Sequence, residues 1–190
     1  MKNNLQTVAS LLRIQARRTH SDEARDALTQ AMRRVDSIAV VHDTLAQGLT
    51  QKVDFDEVFH RVLKLVAEVA SAPNTRARTQ STGRFGVLPS EYATPLALAL
   101  TEVVTNAVEH GLAGREGLVT IDATRTEDNL RVTVHDTGLG LPEGRIGQGL
   151  GTQIIRTLIQ GELGGTIEWK GSEGEGTEVT IDIPLRWLKK

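Results

Sequence analysis

The sequence predicts an α+β protein: an antiparallel helical hairpin, then a two-layer sandwich in which helices cover one face of a β-sheet. Three observations carry this. Apolar residues recur at helical spacing within residues 1–47, 55–70 and 90–110. After Gly111 the period falls to two, with Val119, Ile121 and Ala123 alternating with Thr120, Asp122 and Thr124. Ile167 and Trp169, then Val179, Ile181 and Ile183, repeat that alternation. Strands with one apolar and one polar face mark an antiparallel sheet covered on one side.

Composition narrows the class further. The chain has 190 residues, enough for one large domain or two small ones. Hydrophobic residues make up 39% and aromatics 3%, so the core must be built of Leu, Val, Ile and Ala. A net charge of -2 gives no electrostatic footprint for nucleic acid or a charged membrane surface. Without cysteine there are no disulfides and no thiolate metal sites. No apolar run approaches the length of a membrane span, and the start lacks a secretory apolar region. Cytoplasmic is the simplest reading.

Leu5, Val8, Ala9, Leu12 and Ala16 define the first helix. Ala24, Leu28, Ala31, Val35, Ile38, His42 and Leu45 step by fours and threes along the second, a heptad seam. Ser21 suits its N-cap, with Asp22 and Glu23 in the first turn. A tight turn at Thr19 to Ser21 folds the two helices back on each other. Such a pair leaves a wide apolar stripe, so the expectation is a homodimer through residues 1–47 as a four-helix bundle. His42 on the seam reads as a packed core residue.

Residues 47–54 read as a linker, giving a hairpin domain over 1–50 and a second domain over 51–190. Asp54 could cap a helix from Phe55 to about Ala70 with Val58, Val62, Leu65, Val66 and Val69 on its apolar side. The polar stretch 72–86 allows one strand near Arg76 to Ser81. Ser90 is the expected cap of a helix to about His110, with Leu96, Leu100, Val103, Val104, Ala107 and Val108 inward. Glu102, Asn106 and Glu109 or His110 lie one and two turns apart on another face. Polar residues stacked this way suit a solvated face. Equally, an acid and an amide oxygen one turn apart could hold Mg²⁺ and its waters.

The most informative stretch is Val132 to Gly140, V-T-V-H-D-T-G-L-G. Leu130, Val132, Val134 and Asp136 share one strand parity, which places a carboxylate at the rim of an apolar face. A buried carboxylate needs a partner. Gly138 and Gly140 remove bulk beside it, so an amine-bearing flat ring such as adenine could approach. An acidic hairpin turn explains the same residues. Further on, Gly147-Gln148-Gly149-Leu150-Gly151-Thr152 opens a helix and could present backbone N–H groups to phosphate. Neither a Rossmann nor a Walker context surrounds it. Gly174-Glu175-Gly176-Thr177 reads as a turn between the last two strands.

Taken in order, Glu102-x-x-x-Asn106, Asp136-x-Gly138-x-Gly140, Gly147-x-Gly149-x-Gly151 and Gly174-x-Gly176-Thr177 resemble the Bergerat ATP-binding fold of gyrase, Hsp90, MutL and histidine kinases. The resemblance covers residues 85–185. In addition, Lys2-Asn3-Asn4-Leu5-Gln6 with Leu11-Leu12 is similar to the H-R-x-K-N-N-L-Q box of histidine kinases of the HisKA-2 type. Arg33 to Leu45 is similar to that family's second dimerisation helix. The narrower likeness is to cytosolic actinobacterial sensor kinases that signal to ANTAR-type antitermination regulators.

The resemblance implies a two-component histidine kinase core using ATP and Mg²⁺, with a response-regulator receiver domain as partner. It implies that Asp136 accepts a hydrogen bond from the adenine amine, with a water held by Thr177. Asn106 would coordinate Mg²⁺, Glu102 would orient the water and metal shell, and His110 would touch phosphate. Gly138 and Gly140 would shape the adenine pocket; Gly147, Gly149, Leu150, Gly151 and Thr152 would line the lid and phosphate path. Arg145, within the lid at 141–148, is a candidate phosphate partner. The phosphoacceptor histidine of the box would stand two positions before Met1, so the expectation is a truncated chain that does not phosphorylate itself. Two alternatives share the ATP site: a serine kinase of the anti-sigma-factor type, and a dimeric scaffold that binds ATP without transferring phosphate.

Overall fold

The computed structural model describes residues 2–46, 51–70, 77–112, 115–141 and 149–185. Helix α1 (Lys2–Arg18) and helix α2 (Asp22–Ala46) form the expected hairpin. Ala9 and Ala16 of α1 are buried, with Leu5 and Leu12 partly so, because these positions lie on the face toward α2. Ser21 caps as expected: its Oγ accepts from the Ala24 N–H at 3.4 Å, beside acidic Asp22 and Glu23. The seam positions Ala24, Leu28, Ala31, Val35, Ile38 and His42 are half-buried, while the Leu45 side chain lies outside the described residues. The deepest residues of α2 are instead Ser37 and Val41, both fully buried.

The stretch 47–54 is not a plain linker. Residues 47–50 lie outside the description, but Lys52–Asp54 form strand β1, paired antiparallel with strand β3 (Val87–Pro89). Val53 and Leu88 pair and are both buried, which explains a strand where the sequence shows little apolar content. Asp54 does cap helix α3 (Phe55–Ala70), its Oδ1 accepting from the Asp56 N–H at 3.1 Å. Val58, Val62 and Val66 point inward as expected and Leu65 is half-buried; the Val69 side chain lies outside the described residues. All three phenylalanines of the chain gather here, Phe85 lying 5.1 Å from Phe55 and 4.7 Å from Phe59 between ring centroids. The Asp56 carboxylate holds that cluster by accepting from the Phe85 and Gly86 N–H groups at 2.9 and 3.0 Å.

Among the described residues one five-stranded sheet runs β2-β4-β5-β7-β6. Its strands are β2 (Ala77–Gly83), β4 (Gly117–Arg125), β5 (Asn129–Asp136), β6 (Thr166–Gly171) and β7 (Thr177–Pro184). The sheet is mixed, not antiparallel, because β2 pairs parallel with β4. Alternation reports which face is buried, not strand direction; a parallel pair needs a crossover, and here helix α4 lies in it. Val119, Ile121 and Ala123, then Leu130, Val132, Val134 and Asp136, then Val179, Ile181 and Ile183 all fall on the buried face.

Helix α4 (Ser90–Asn106) continues into a π-helical turn, Ala107–Gly111. Ser90 is not its cap. Pro89 holds the N-cap position with no side-chain cap, and the Ser90 N–H, one of the free donors of the first turn, donates to the Gln51 carbonyl at 2.9 Å. Leu96, Leu100, Val103, Val104, Ala107 and Val108 are buried as expected, but so are Thr101, Glu102 and Thr105. The polar positions of α4 are therefore not a solvated face: α2, α3 and helix α5 (Leu150–Arg156) pack against this helix. Val41 of α2 joins the same apolar core as the sandwich.

Candidate functional site

Strand parity delivers Asp136 to the end of β5, where the chain leaves the sheet. Its side chain is 3% exposed, paired in register with Val119 of β4 and Thr177 of β7. Burial in apolar surroundings pushes its carboxyl above the ordinary aspartate range. Backbone N–H groups of Gly138 and Thr177, and the charge of His135, oppose that shift. The Gly138 N–H donates to Asp136 Oδ1 at 3.0 Å, closing the turn beneath the carboxylate. Asp136 is thus a buried carboxylate with backbone donors already on it and lone pairs left to accept from a ligand.

Glycine is required on both sides of it. Gly140 has φ +77°, and a Cβ there would sit 1.8 Å from the Ser172 carbonyl oxygen. Gly176 has φ +82°, and a Cβ would meet the Asp136 carbonyl oxygen at 2.0 Å. The turn after β5 and the turn before β7 therefore touch backbone to backbone, joined by the Gly174 N–H donating to the Leu139 carbonyl at 2.6 Å. This brings Gly138, Gly140 and buried Thr177 around Asp136, four of the residues expected at an adenine pocket.

A second group forms on α4. Glu102 is 9% exposed and Asn106 half-buried. Gly151, in the first turn of α5, faces both: a Cβ there would lie 3.2 Å from Glu102 Oε2 and 3.7 Å from Asn106 Nδ2. Gly149 stands at the N-cap of α5, Leu150 is 62% exposed and Thr152 is half-buried. The π-helical turn after Asn106 packs against β5, which links this group to the strand bearing Asp136. His110 lies in that wider turn, shifted from α-helical register, and is exposed. Arg145 and Gly147 lie outside the described residues.

Among the described residues no three His, Asp or Glu side chains cluster as a metal cage. An Asn106 amide oxygen beside a glycine helix start suits Mg²⁺, which binds few protein oxygens and shares the rest with substrate phosphate and water.

Sequence reasoning missed the contacts that α2 makes here. Arg34 grips Glu102 in a fork, Nε donating to Oε1 at 2.6 Å and Nη2 to Oε2 at 3.3 Å. Arg33 pairs with Glu109, and the Ser37 hydroxyl bonds Thr101 Oγ1 at 3.1 Å. Arg34, Ser37 and Val41 recur with helical spacing as a second stripe beside the seam, the signal that could have found them.

Comparison with known proteins agrees with this geometry. Residues 1–70 match the HisKA_2 histidine kinase model, and residues 91–186 match the model of histidine kinase-, DNA gyrase B-, and HSP90-like ATPases. Sensor histidine kinase PdtaS of Mycobacterium tuberculosis is 46% identical over 190 residues, covering 97% of this chain. The chain spans 38% of that relative's length. The histidine kinase domain of a blue-light-activated kinase from Erythrobacter litoralis superposes with a TM-score of 0.75, at 24% identity, over 98% of this chain and 96% of that one. Histidine kinase ThkA in complex with response regulator protein TrrA matches with a TM-score of 0.57, at 19% identity, over 96% of this chain and 58% of that one. With residues 1–70 matching a histidine kinase model and residues 91–186 the associated ATPase, the chain belongs to the histidine kinase family.

Proposed function

We propose that this chain is the ATP-binding kinase core of a two-component sensor kinase, moving the γ-phosphate of ATP to a histidine and from there to a response-regulator aspartate. The observation that carries it is Asp136: a buried carboxylate at the end of a strand, held by backbone N–H groups, where two glycine turns close backbone to backbone around it. Adenine's exocyclic amine would add a further donor to the lone pairs that the backbone N–H groups leave free. Thr177, its register partner, would hold a water on the same edge. Gly149 to Thr152 at the start of α5 would receive the phosphates, with Gly147 and Arg145 completing the lid.

In the transfer, the bond between the γ-phosphorus and the bridging oxygen breaks, a histidine nitrogen takes the phosphoryl group, and ADP leaves. Positioning and charge neutralisation dominate such a reaction. Asn106 would hold Mg²⁺, which when bound neutralises phosphate oxygens. Glu102 would orient the water shell, and His110 would reach phosphate from the edge.

Residues 1–50 act as the dimerising, phosphotransfer hairpin and 51–190 as the catalytic domain. The half-buried seam of α2 supports a homodimer. No helix among the described residues is long and apolar enough to cross a membrane; we place the chain in the cytoplasm. The partner is a receiver domain, of the ANTAR type on the sequence resemblance; ThkA with TrrA shows that a kinase of this fold engages a response regulator.

By the match to the family box, the acceptor is none of the five histidines His20, His42, His60, His110 and His135. The test is labelling with γ-labelled ATP. The chain should carry no acid-labile, alkali-stable label, and extension by the box's upstream His-Arg segment should produce it. Asp136→Asn in the extended chain should abolish it. Phosphohistidine on the chain as it stands, or none on the extended one, would overturn the reading. The long hairpin argues against the serine-kinase alternative, and labelling separates the kinase from a non-transferring scaffold.

A further inference from the structure

We propose that Arg34 is a positioning residue of the nucleotide site, holding and neutralising the Glu102 carboxylate beside Asn106 so that the helical hairpin completes the phosphate end. This rests on the reading of Glu102, Asn106 and Gly151 as that end. Arg34 comes from α2, 68 residues before Glu102 in the chain, and its fork takes one carboxylate oxygen on each nitrogen. Both side chains are largely shielded, 18% and 11% exposed. The oxygen held by Nη2 is the Oε2 that faces Gly151. Arg33 on Glu109 and Ser37 on Thr101 fix α2 on either side, so the guanidinium is delivered by a docked helix.

The consequence is electrostatic. A triphosphate arriving at Gly151 meets a carboxylate about one side-chain contact away. Bare, that carboxylate repels the phosphates, and shielding from water makes the repulsion stronger. Paired with Arg34 it presents no net charge and keeps one fixed orientation beside Asn106. Undocking of α2 would expose the carboxylate, so nucleotide affinity becomes a reporter of hairpin position.

Calorimetric titration of the full chain with ATP and Mg²⁺ tests this in five proteins: unaltered, Arg34→Gln, Glu102→Gln, the double variant and Arg34→Lys. Arg34→Gln should bind about tenfold more weakly, the effect of one uncompensated charge at partly shielded distance. With Glu102→Gln already in place, Arg34→Gln should cost clearly less, because the guanidinium's own attraction for phosphate is lost in both backgrounds but no carboxylate remains to be freed toward the nucleotide. Arg34→Lys, which keeps the charge and loses the fork, should recover part of the affinity. Should Arg34→Gln fail to fold, the same cycle is read with Arg34→Lys, whose smaller loss must likewise shrink beside Glu102→Gln. Unaltered affinity in Arg34→Gln, or an equal loss in both Glu102 backgrounds, would overturn the role. Failure of the unaltered chain to bind ATP would instead overturn the nucleotide-site reading beneath it.

Discussion

Replacing Asp136 by asparagine should separate what this residue does for ATP from what it does for the fold. The side chain is 3% exposed, and its carboxyl is raised chiefly by desolvation, with the Gly138 and Thr177 N–H groups opposing. Asparagine keeps an acceptor for Gly138 and removes the buried charge. Because desolvation is the larger cause, the ligand-free variant should be as stable as the parent or slightly more so. Binding moves the other way. A hydrogen bond to a charged acceptor contributes about 1.5–3 kcal/mol, so its loss weakens ATP by roughly 10- to 150-fold. At a nucleotide concentration near 100 times the parent's Kd, ligand stabilises the parent by about 2.7 kcal/mol and a tenfold weaker variant by about 1.4 kcal/mol. For a chain of this size the ATP-induced rise in Tm should therefore shrink by roughly 3–5 °C, or more if affinity falls further. The assay is thermal unfolding with and without ATP and Mg²⁺. A large loss of ligand-free stability would make Asp136 a structural anchor, and an undiminished ATP-induced rise would remove it from the site. Either result refutes the reasoning.

Three further outcomes follow from the same structure. The Asp136 carboxyl is raised in the fold, so its contribution to stability is fully present below the ordinary aspartate range and is lost as pH climbs through the raised value. Ligand-free thermal scans should show the stability of Asp136→Asn gaining on the parent across that window and level above it; a gap widening toward acid would contradict this. Asn106→Ala should reduce the Mg²⁺ dependence of ATP binding far more than it lowers Tm, since Asn106 is half-buried at the end of α4. Mg²⁺ dependence unchanged by that substitution would remove the metal from α4. Leu28→Glu with Val35→Glu places two charges on the half-buried seam of α2, where burial without partners is strongly unfavourable. Sedimentation should then show monomers, and a dimer of parental affinity would place the interface elsewhere.

What the sequence revealed, and what it hid, divides along local and long-range physics. The parity Leu130, Val132, Val134, Asp136 was legible because strand alternation is local and one face is buried. So was the Asp54 cap, which needs only the next two residues. Ser90 misled because the long-range β1–β3 pairing runs up to Pro89, so the helix begins with Ser90 already in its first turn and its N–H bonded to the distant Gln51 carbonyl. Strand direction in β2 was illegible since alternation is the same in parallel and antiparallel pairs. The Arg34–Glu102 fork was hidden for a related reason. It exists only once α2 docks on α4, and polar residues on a helix read by themselves as solvent-facing. Gly140 and Gly176 were visible as glycines, but their mutual contact around Asp136 appears only with the β5–β7 pairing.

The account rests on adenine at Asp136, and competitive nucleotide titration tests that most directly. Adenine presents an amine donor where guanine presents a carbonyl oxygen, so GTP would leave a buried carboxylate facing an acceptor. That mismatch costs about 1–3 kcal/mol, or roughly 5- to 150-fold in affinity. Calorimetry of the full chain with Mg²⁺ should show ATP binding, GTP weaker by at least that lower factor, and the preference much reduced in Asp136→Asn. Equal affinities for ATP and GTP, or a preference that survives Asp136→Asn intact, would contradict the assignment.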